Sequence, residues 1–132
     1  MMHILLADHH ANALWALKTL LQEEPGFKVV GEAVDGESLS NLSVRLHPDL
    51  ILMDKDLPGS PIENLMAALH QLKPKPNVIV MSSDPECSRM MLKAGADAFV
   101  SKGEQPDWVL QTLRNYRNRV LKKEVPIENN KP

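Results

Sequence analysis

Apolar and polar residues fall into two kinds of block along this chain. Five blocks are short and almost wholly apolar: residues 3–7, 28–33, 50–53, 78–81 and 98–100. Runs of that length, apolar almost throughout, predict strands covered on both sides and therefore a parallel sheet. The stretches between and after them repeat at helical spacing. Leu14, Leu17 and Leu21 recur at i, i+3 and i+7, as do Leu39, Leu42 and Leu46. Ile62, Leu65, Met66 and Leu69 form a third stripe, and Val109, Leu113, Tyr116 and Val120 another. Each stripe is the core face of an amphipathic helix.

The turn residues agree with the periods. Asp84-Pro85 and Gln105-Pro106 put proline where a fourth and a fifth helix begin. Gly95, between two alanines, stops the fourth. Pro25-Gly26 and His47-Pro48 end the first two. Five strand–helix units joined by right-handed crossovers predict an α/β fold, one doubly wound parallel sheet with helices on both faces. A chain of 132 residues is long enough for one such domain. The domain is expected over residues 1–121, with 122–132 as a polar, flexible C-terminal tail.

Composition narrows the class. A single cysteine, Cys87, excludes an intrachain disulfide, and Met1-Met2-His3 lacks the basic flank of a signal peptide. No apolar run approaches the roughly 20 residues of a membrane helix. These features predict a cytoplasmic protein without a membrane partner. A net charge of −2 argues against direct nucleic-acid binding.

The chemistry gathers where strands end. Asp8 follows the first strand, Asp54 the third, Ser82 the fourth and Lys102 the fifth. In an open α/β sheet the ligand site lies beyond the carboxyl ends of the strands. Taken singly, Asp8 reads as a helix cap, Asp54 as a turn residue, Ser82 as a partner of local backbone and Lys102 as a solvated ammonium. Taken together, one per strand at one edge, they define a cleft with two carboxylates, a hydroxyl and an ammonium. Such a set can hold a hard cation through oxygen and bind an oxyanion beside it. It can also run aspartyl-phosphate chemistry with Asp54 as the nucleophile.

The segments ILLADHH, GFKVVGEAVDGE, PDLILMDKDLPG, VIVMSS and AGADAFVSKG carry a family resemblance. In order and spacing the chain resembles the receiver domain of two-component response regulators, closest to receivers of the helix-turn-helix transcription-factor group. The resemblance runs from about Met2 to Arg119. It implies sheet order 2-1-3-4-5, Asp54 as phosphoacceptor, Ser82 as switch hydroxyl, Phe99 as switch aromatic and Lys102 as the site lysine. It also implies Mg2+ or Mn2+ held by Asp8, Asp54 and the backbone carbonyl of Asp56. The partners it implies are a sensor histidine kinase or phosphotransfer protein, a downstream protein target, and a second copy through helix four, strand five and helix five. Arg114, Arg117 and Arg119 are candidates for ion pairs on that face, though a solvated helix face is the commoner role.

The chain departs from the family in places. His9 stands where the second acidic residue of the metal-binding pair is usual, and imidazole suits Zn, Ni or Cu better than Mg. Magnesium affinity should fall, with His9 a doubtful ligand that otherwise tops the first helix beside His10. Asp56 or Asp84 is a candidate to compensate with a side-chain carboxylate. Gly103 replaces the proline usual after Lys102, which favours a trans peptide there. The leading expectation is a phosphorylation switch. The competing one is a degenerate receiver that docks its partner without phosphorylation. Whether the chain stands alone or was trimmed from a DNA-binding regulator stays open, as do the kinase and the target.

Overall fold

The computed structural model describes residues 1–102 and 106–124 and, within the last helix, the side chains of 109–118. The elements run β1 (Met2–Ala7), α1 (Ala11–Gln22), β2 (Phe27–Ala33), α2 (Gly36–Leu46), β3 (Leu50–Asp54), α3 (Ile62–His70), β4 (Asn77–Ser82), α4 (Ser88–Lys93), β5 (Ala98–Ser101) and α5 (Pro106–Glu124). The strands form one parallel sheet in the order β2-β1-β3-β4-β5. This is the predicted fold and strand order.

A wholly apolar strand in such a sheet must divide its side chains between two cores, because successive residues point to opposite faces. On β1 and β3, Ile4, Leu6, Leu50 and Leu52 join Leu14 and Leu21 of α1 and Leu113 and Tyr116 of α5 in one core. Leu5, Ala7, Ile51 and Met53 join Leu39 of α2, Leu65 and Leu69 of α3 and Met91 of α4 in the other. All five residues of β3 are buried, so the strand that ends in Asp54 is sealed on both faces.

Several boundaries differ from the expectation for physical reasons. Asp54 and Ser82 complete their strands, because Asp54 pairs with Met81 and Ser82 with Ser101 across the ladders. Pro85 opens a short 3-10 turn, Pro85–Cys87, rather than α4 itself. Asp84 caps that turn by accepting the Glu86 N–H at 3.0 Å, and the buried Cys87 thiol donates to the Asp84 carbonyl. Gly95 ends α4 at φ +117°, with its own N–H on Leu92 and that of Ala96 on Met91. That left-handed turn is where a glycine costs least. The backbone of α5 continues past Leu121 to Glu124. The remainder of the expected tail, 125–132, and the Lys102–Gly103 peptide lie outside the described residues.

No helix among the described residues is long and apolar enough to cross a membrane. Arg114 and Arg117, candidates for ion pairs between copies, are engaged within the chain. Arg114 hydrogen-bonds Glu24 through Nε at 3.1 Å, and Arg117 donates to the Pro25 carbonyl at 2.8 Å while stacking over Phe27. Both tie α5 to the turn between α1 and β2. The side chain of Arg119 lies outside the described residues.

Candidate functional site

Because β1, β3, β4 and β5 are neighbours running in one direction, the residues that end them share one edge of the sheet. Asp8 continues the line of β1, donating its N–H to the Ala33 carbonyl at 3.0 Å. Its side chain is fully buried. Oδ1 accepts the His10 N–H at 2.9 Å and lies 3.0 Å from His10 Nδ1, while Oδ2 takes the Lys102 ammonium at 2.6 Å. Burial alone would push the Asp8 carboxyl up. The Lys102 hydrogen bond and charge and the two His10 contacts outweigh it and hold the group below its ordinary value.

Asp54 is 3% exposed. Its Oδ2 lies 3.3 Å from Lys102 Nζ, 3.6 Å from His9 Nδ1 and 3.8 Å from His10 Nδ1. Oδ1 accepts a long hydrogen bond, 3.4 Å, from the Asp56 N–H. Behind it the chain turns away: Lys55 donates to the Met81 carbonyl, and Gly59 at φ +111° lets the Pro58 carbonyl accept the Gly36 N–H at 2.8 Å. The loop after β3 is thus pinned to both β4 and α2.

Ser82 is 1% exposed, and its hydroxyl accepts the Asp84 N–H at 3.0 Å. Its carbonyl accepts the Lys102 N–H at 2.7 Å, which brings the lysine backbone to the same edge. Phe99 on β5 is partly buried against the core of α3 and α4. Asp8, Asp54 and Lys102 therefore meet directly, Ser82 borders them, and Phe99 stands off on the other face.

The side chains that surround the two buried carboxylates are not all those the sequence offered. Neither the Asp56 nor the Asp84 carboxylate joins the cluster: Asp56 is exposed beside Lys55 at 3.8 Å, and Asp84 is used as the cap on Glu86. The group that could hold a metal ion is Asp8, His9, His10 and Asp54, whose ligand atoms all lie within 4.8 Å of one another. His9 and His10 both stand beside Asp54, and His10, which the sequence did not single out, also contacts Asp8. Its signal was its place two residues after a buried aspartate, where an Asx-type turn folds the chain back on the carboxylate.

Comparison with known proteins agrees with this geometry. A family model of the response regulator receiver domain matches residues 4–114, and the chain belongs to that family. It is 36% identical over 115 residues to the nitrate/nitrite response regulator NarL of Escherichia coli K12, covering 83% of this chain and 52% of that protein. It is 33% identical over 119 residues to the response regulator GacA of Pseudomonas aeruginosa, covering 86% and 54%. The chain spans about half the length of these relatives. In fold it is similar to a LuxR-family response regulator from Aurantimonas, with TM-score 0.79 at 24% identity, covering 86% of this chain and 83% of that one. It also matches the NarL receiver domain of Mycobacterium tuberculosis, with TM-score 0.78 at 23% identity and 86% and 94% coverage. The chain is a receiver domain of a response regulator.

Proposed function

We propose that Asp54 is the phosphoacceptor of this receiver, and that a histidine kinase or phosphotransfer protein is its donor. The observation that carries the reading is a carboxylate only 3% exposed at a strand end, with an ammonium 3.3 Å from Oδ2 and only a long 3.4 Å hydrogen bond on Oδ1. One Asp54 oxygen attacks phosphorus as the bond from phosphorus to the donor imidazole breaks, and the leaving imidazole takes up a proton. Lys102, already against both carboxylates, follows the transferred oxygens and offsets their charge. Ser82 turns its hydroxyl proton to one of them while keeping the Asp84 N–H on its lone pair.

Asp8, Asp54 and the Asp56 carbonyl would hold Mg2+ or Mn2+ through oxygen, and the ion would offset charge on the phosphoryl group. The two imidazoles crowd that set with nitrogen, so manganese should serve better than magnesium. The added phosphoryl charge, roughly −1.5 to −2 for phosphoryl groups near neutral pH, biases the face made by α4, β5 and α5. That face is the one offered to a second copy or a downstream target.

The test is intact mass after incubation with acetyl phosphate and Mg2+ or Mn2+, for the native chain and Asp54→Asn. A single phosphoryl adduct, about 80 Da by the stoichiometry of aspartyl phosphate formation, is expected on the native chain alone. An equal adduct on Asp54→Asn would reassign the acceptor.

A further inference from the structure

We propose that Asp8, His9, His10 and Asp54 form a zinc site, and that zinc in it closes the receiver to phosphorylation. The donors are two carboxylates and two imidazoles, a set that suits a borderline ion in tetrahedral coordination better than the hard, octahedral, oxygen-seeking magnesium. Geometry agrees with chemistry. With zinc–ligand bonds near 2.0–2.2 Å, neighbouring donors of a tetrahedron stand about 3.4 Å apart. The separations here are 3.0 Å from His10 Nδ1 to Asp8 Oδ1, 3.6 Å from His9 Nδ1 to Asp54 Oδ2 and 3.8 Å from His10 Nδ1 to Asp54 Oδ2. The whole set lies within 4.8 Å, so closing it on one ion draws no pair of ligand atoms in by more than about 1.4 Å relative to that tetrahedral edge.

The arrangement is held from two sides. Asp8 is fixed by the His10 N–H and by Lys102, which occupies Oδ2 and leaves Oδ1 facing His10. The two rings pack at 3.8 Å between centroids, tilted by 42°, with both Nδ1 atoms toward the carboxylates. Asp54 is the independent sign of a ligand. It is buried with acceptor capacity to spare, since its close donors are the Lys102 ammonium, 3.3 Å from Oδ2, and the long 3.4 Å contact from the Asp56 N–H on Oδ1. Lys102 is shared with Asp8, so a buried Asp54 carboxylate with one shared cation and one long hydrogen bond gains from a ligand that fills its remaining lone pairs.

Four protein ligands complete a tetrahedral shell and leave no position for an incoming oxygen. Zinc would also hold the Asp54 oxygen that attacks phosphorus. The blockade rests on the phosphoacceptor reading; the binding site does not.

The experiment titrates the metal-stripped chain with Co2+, followed by visible absorption, and then displaces it with Zn2+. The variants are His9→Ala, His10→Ala and Asp54→Asn, with His3→Ala on β1 as a remote control and circular dichroism to confirm folding. Saturation at one ion per chain, with intense tetrahedral bands that a large excess of Mg2+ does not displace, is expected. Each site variant should bind at least about 10-fold more weakly, the low end of the loss when a metal site loses even an outer partner, and His3→Ala should match the native chain. Weak octahedral bands, or binding unchanged in both site-histidine variants, overturns the site. Zinc-loaded chain is then given acetyl phosphate beside manganese-loaded chain. An adduct with manganese alone supports the blockade, and equal adducts overturn it. Absence of an adduct in every arm would count against the phosphoacceptor reading and the blockade built on it, with the cobalt titration still deciding the site.

Discussion

Lys102→Met should destabilise the metal-free protein by about 3 kcal/mol at neutral pH, the low end of the cost of removing one partner from a buried ion pair. Lys102 Nζ stands 2.6 Å from Asp8 and 3.3 Å from Asp54, and neither carboxylate reaches solvent appreciably. At an effective dielectric near 20, Coulomb attraction at those distances is about 6 and about 5 kcal/mol before desolvation. Much of that is offset by taking the ammonium out of water. The lysine side chain keeps 24% of its exposure, which places the net loss at the low end. Methionine retains the apolar stem and removes only the charge, leaving two buried carboxylates facing each other. For a chain of this length the loss corresponds to a melting temperature lower by about 10 °C.

The pH dependence supplies the sharper check. The Asp8 carboxyl is raised by burial, but Lys102 and His10 more than reverse this and depress it in the native fold. A depressed carboxylate adds stability above its unfolded value near 3.8, and that stability is lost as pH falls through the folded value. Without Lys102 burial has less to oppose it, so acidification relieves the variant while it weakens the native chain. The gap in melting temperature, read by circular dichroism, should therefore narrow as pH falls from 7 toward 4. A variant within about 2 °C of native at pH 7, less than the shift expected for 1 kcal/mol, or a gap that widens on acidification, would refute the ion-pair account.

Other expectations are independent of that pair. Ser82→Ala should cost about 1 kcal/mol, the net worth of the hydrogen bond that its buried hydroxyl accepts from Asp84; chemical denaturation checks this, and the Asp54 adduct should still form. Gly95→Ala should cost more than about 1 kcal/mol, because φ is +117° and a methyl there meets the His70 ring. His70→Ala should recover the steric part in a double-mutant cycle, and equal costs in both backgrounds would refute the clash. Arg114→Ala should release the Glu24 carboxyl from its depressed value, caused first by the Arg114 hydrogen bond. Carbon-detected titration should then show Glu24 moving upward toward an ordinary glutamate.

The fold was legible because the runs that become β1, β3 and β4 are apolar almost throughout, as strands covered on both sides must be, while Lys28 and Glu32 stay exposed on the edge strand β2. The edge residues Asp8, Asp54, Ser82 and Lys102 were legible for the same reason: in a parallel sheet, ends of neighbouring strands must coincide. Distances between side chains are what spacing along the chain does not encode. His10 escaped notice because its contact with Asp8 is made by the turn before α1 rather than by the sheet. The partners of Arg114 and Arg117 were not legible because a helix stripe says which residues face the core, but not where long side chains on its flank reach. Their partners, Glu24 and Pro25, lie 90 and 92 residues away.

The histidines alter the balance at this edge as well as its ligands. A third carboxylate in place of His9 would leave Asp8 and Asp54 more strongly repelled and more dependent on a divalent ion. An imidazole removes that extra negative charge and places a nitrogen 3.6 Å from Asp54. The approach of an anionic phosphoryl donor is then opposed by two carboxylates that already share one lysine, which lowers what a cation must offset. Dependence of Asp54 phosphorylation on magnesium should accordingly be shallow, and sensitivity to zinc steep. Both follow from one exchange of donor type: oxygen that would recruit a hard ion has given way to nitrogen that favours a softer one.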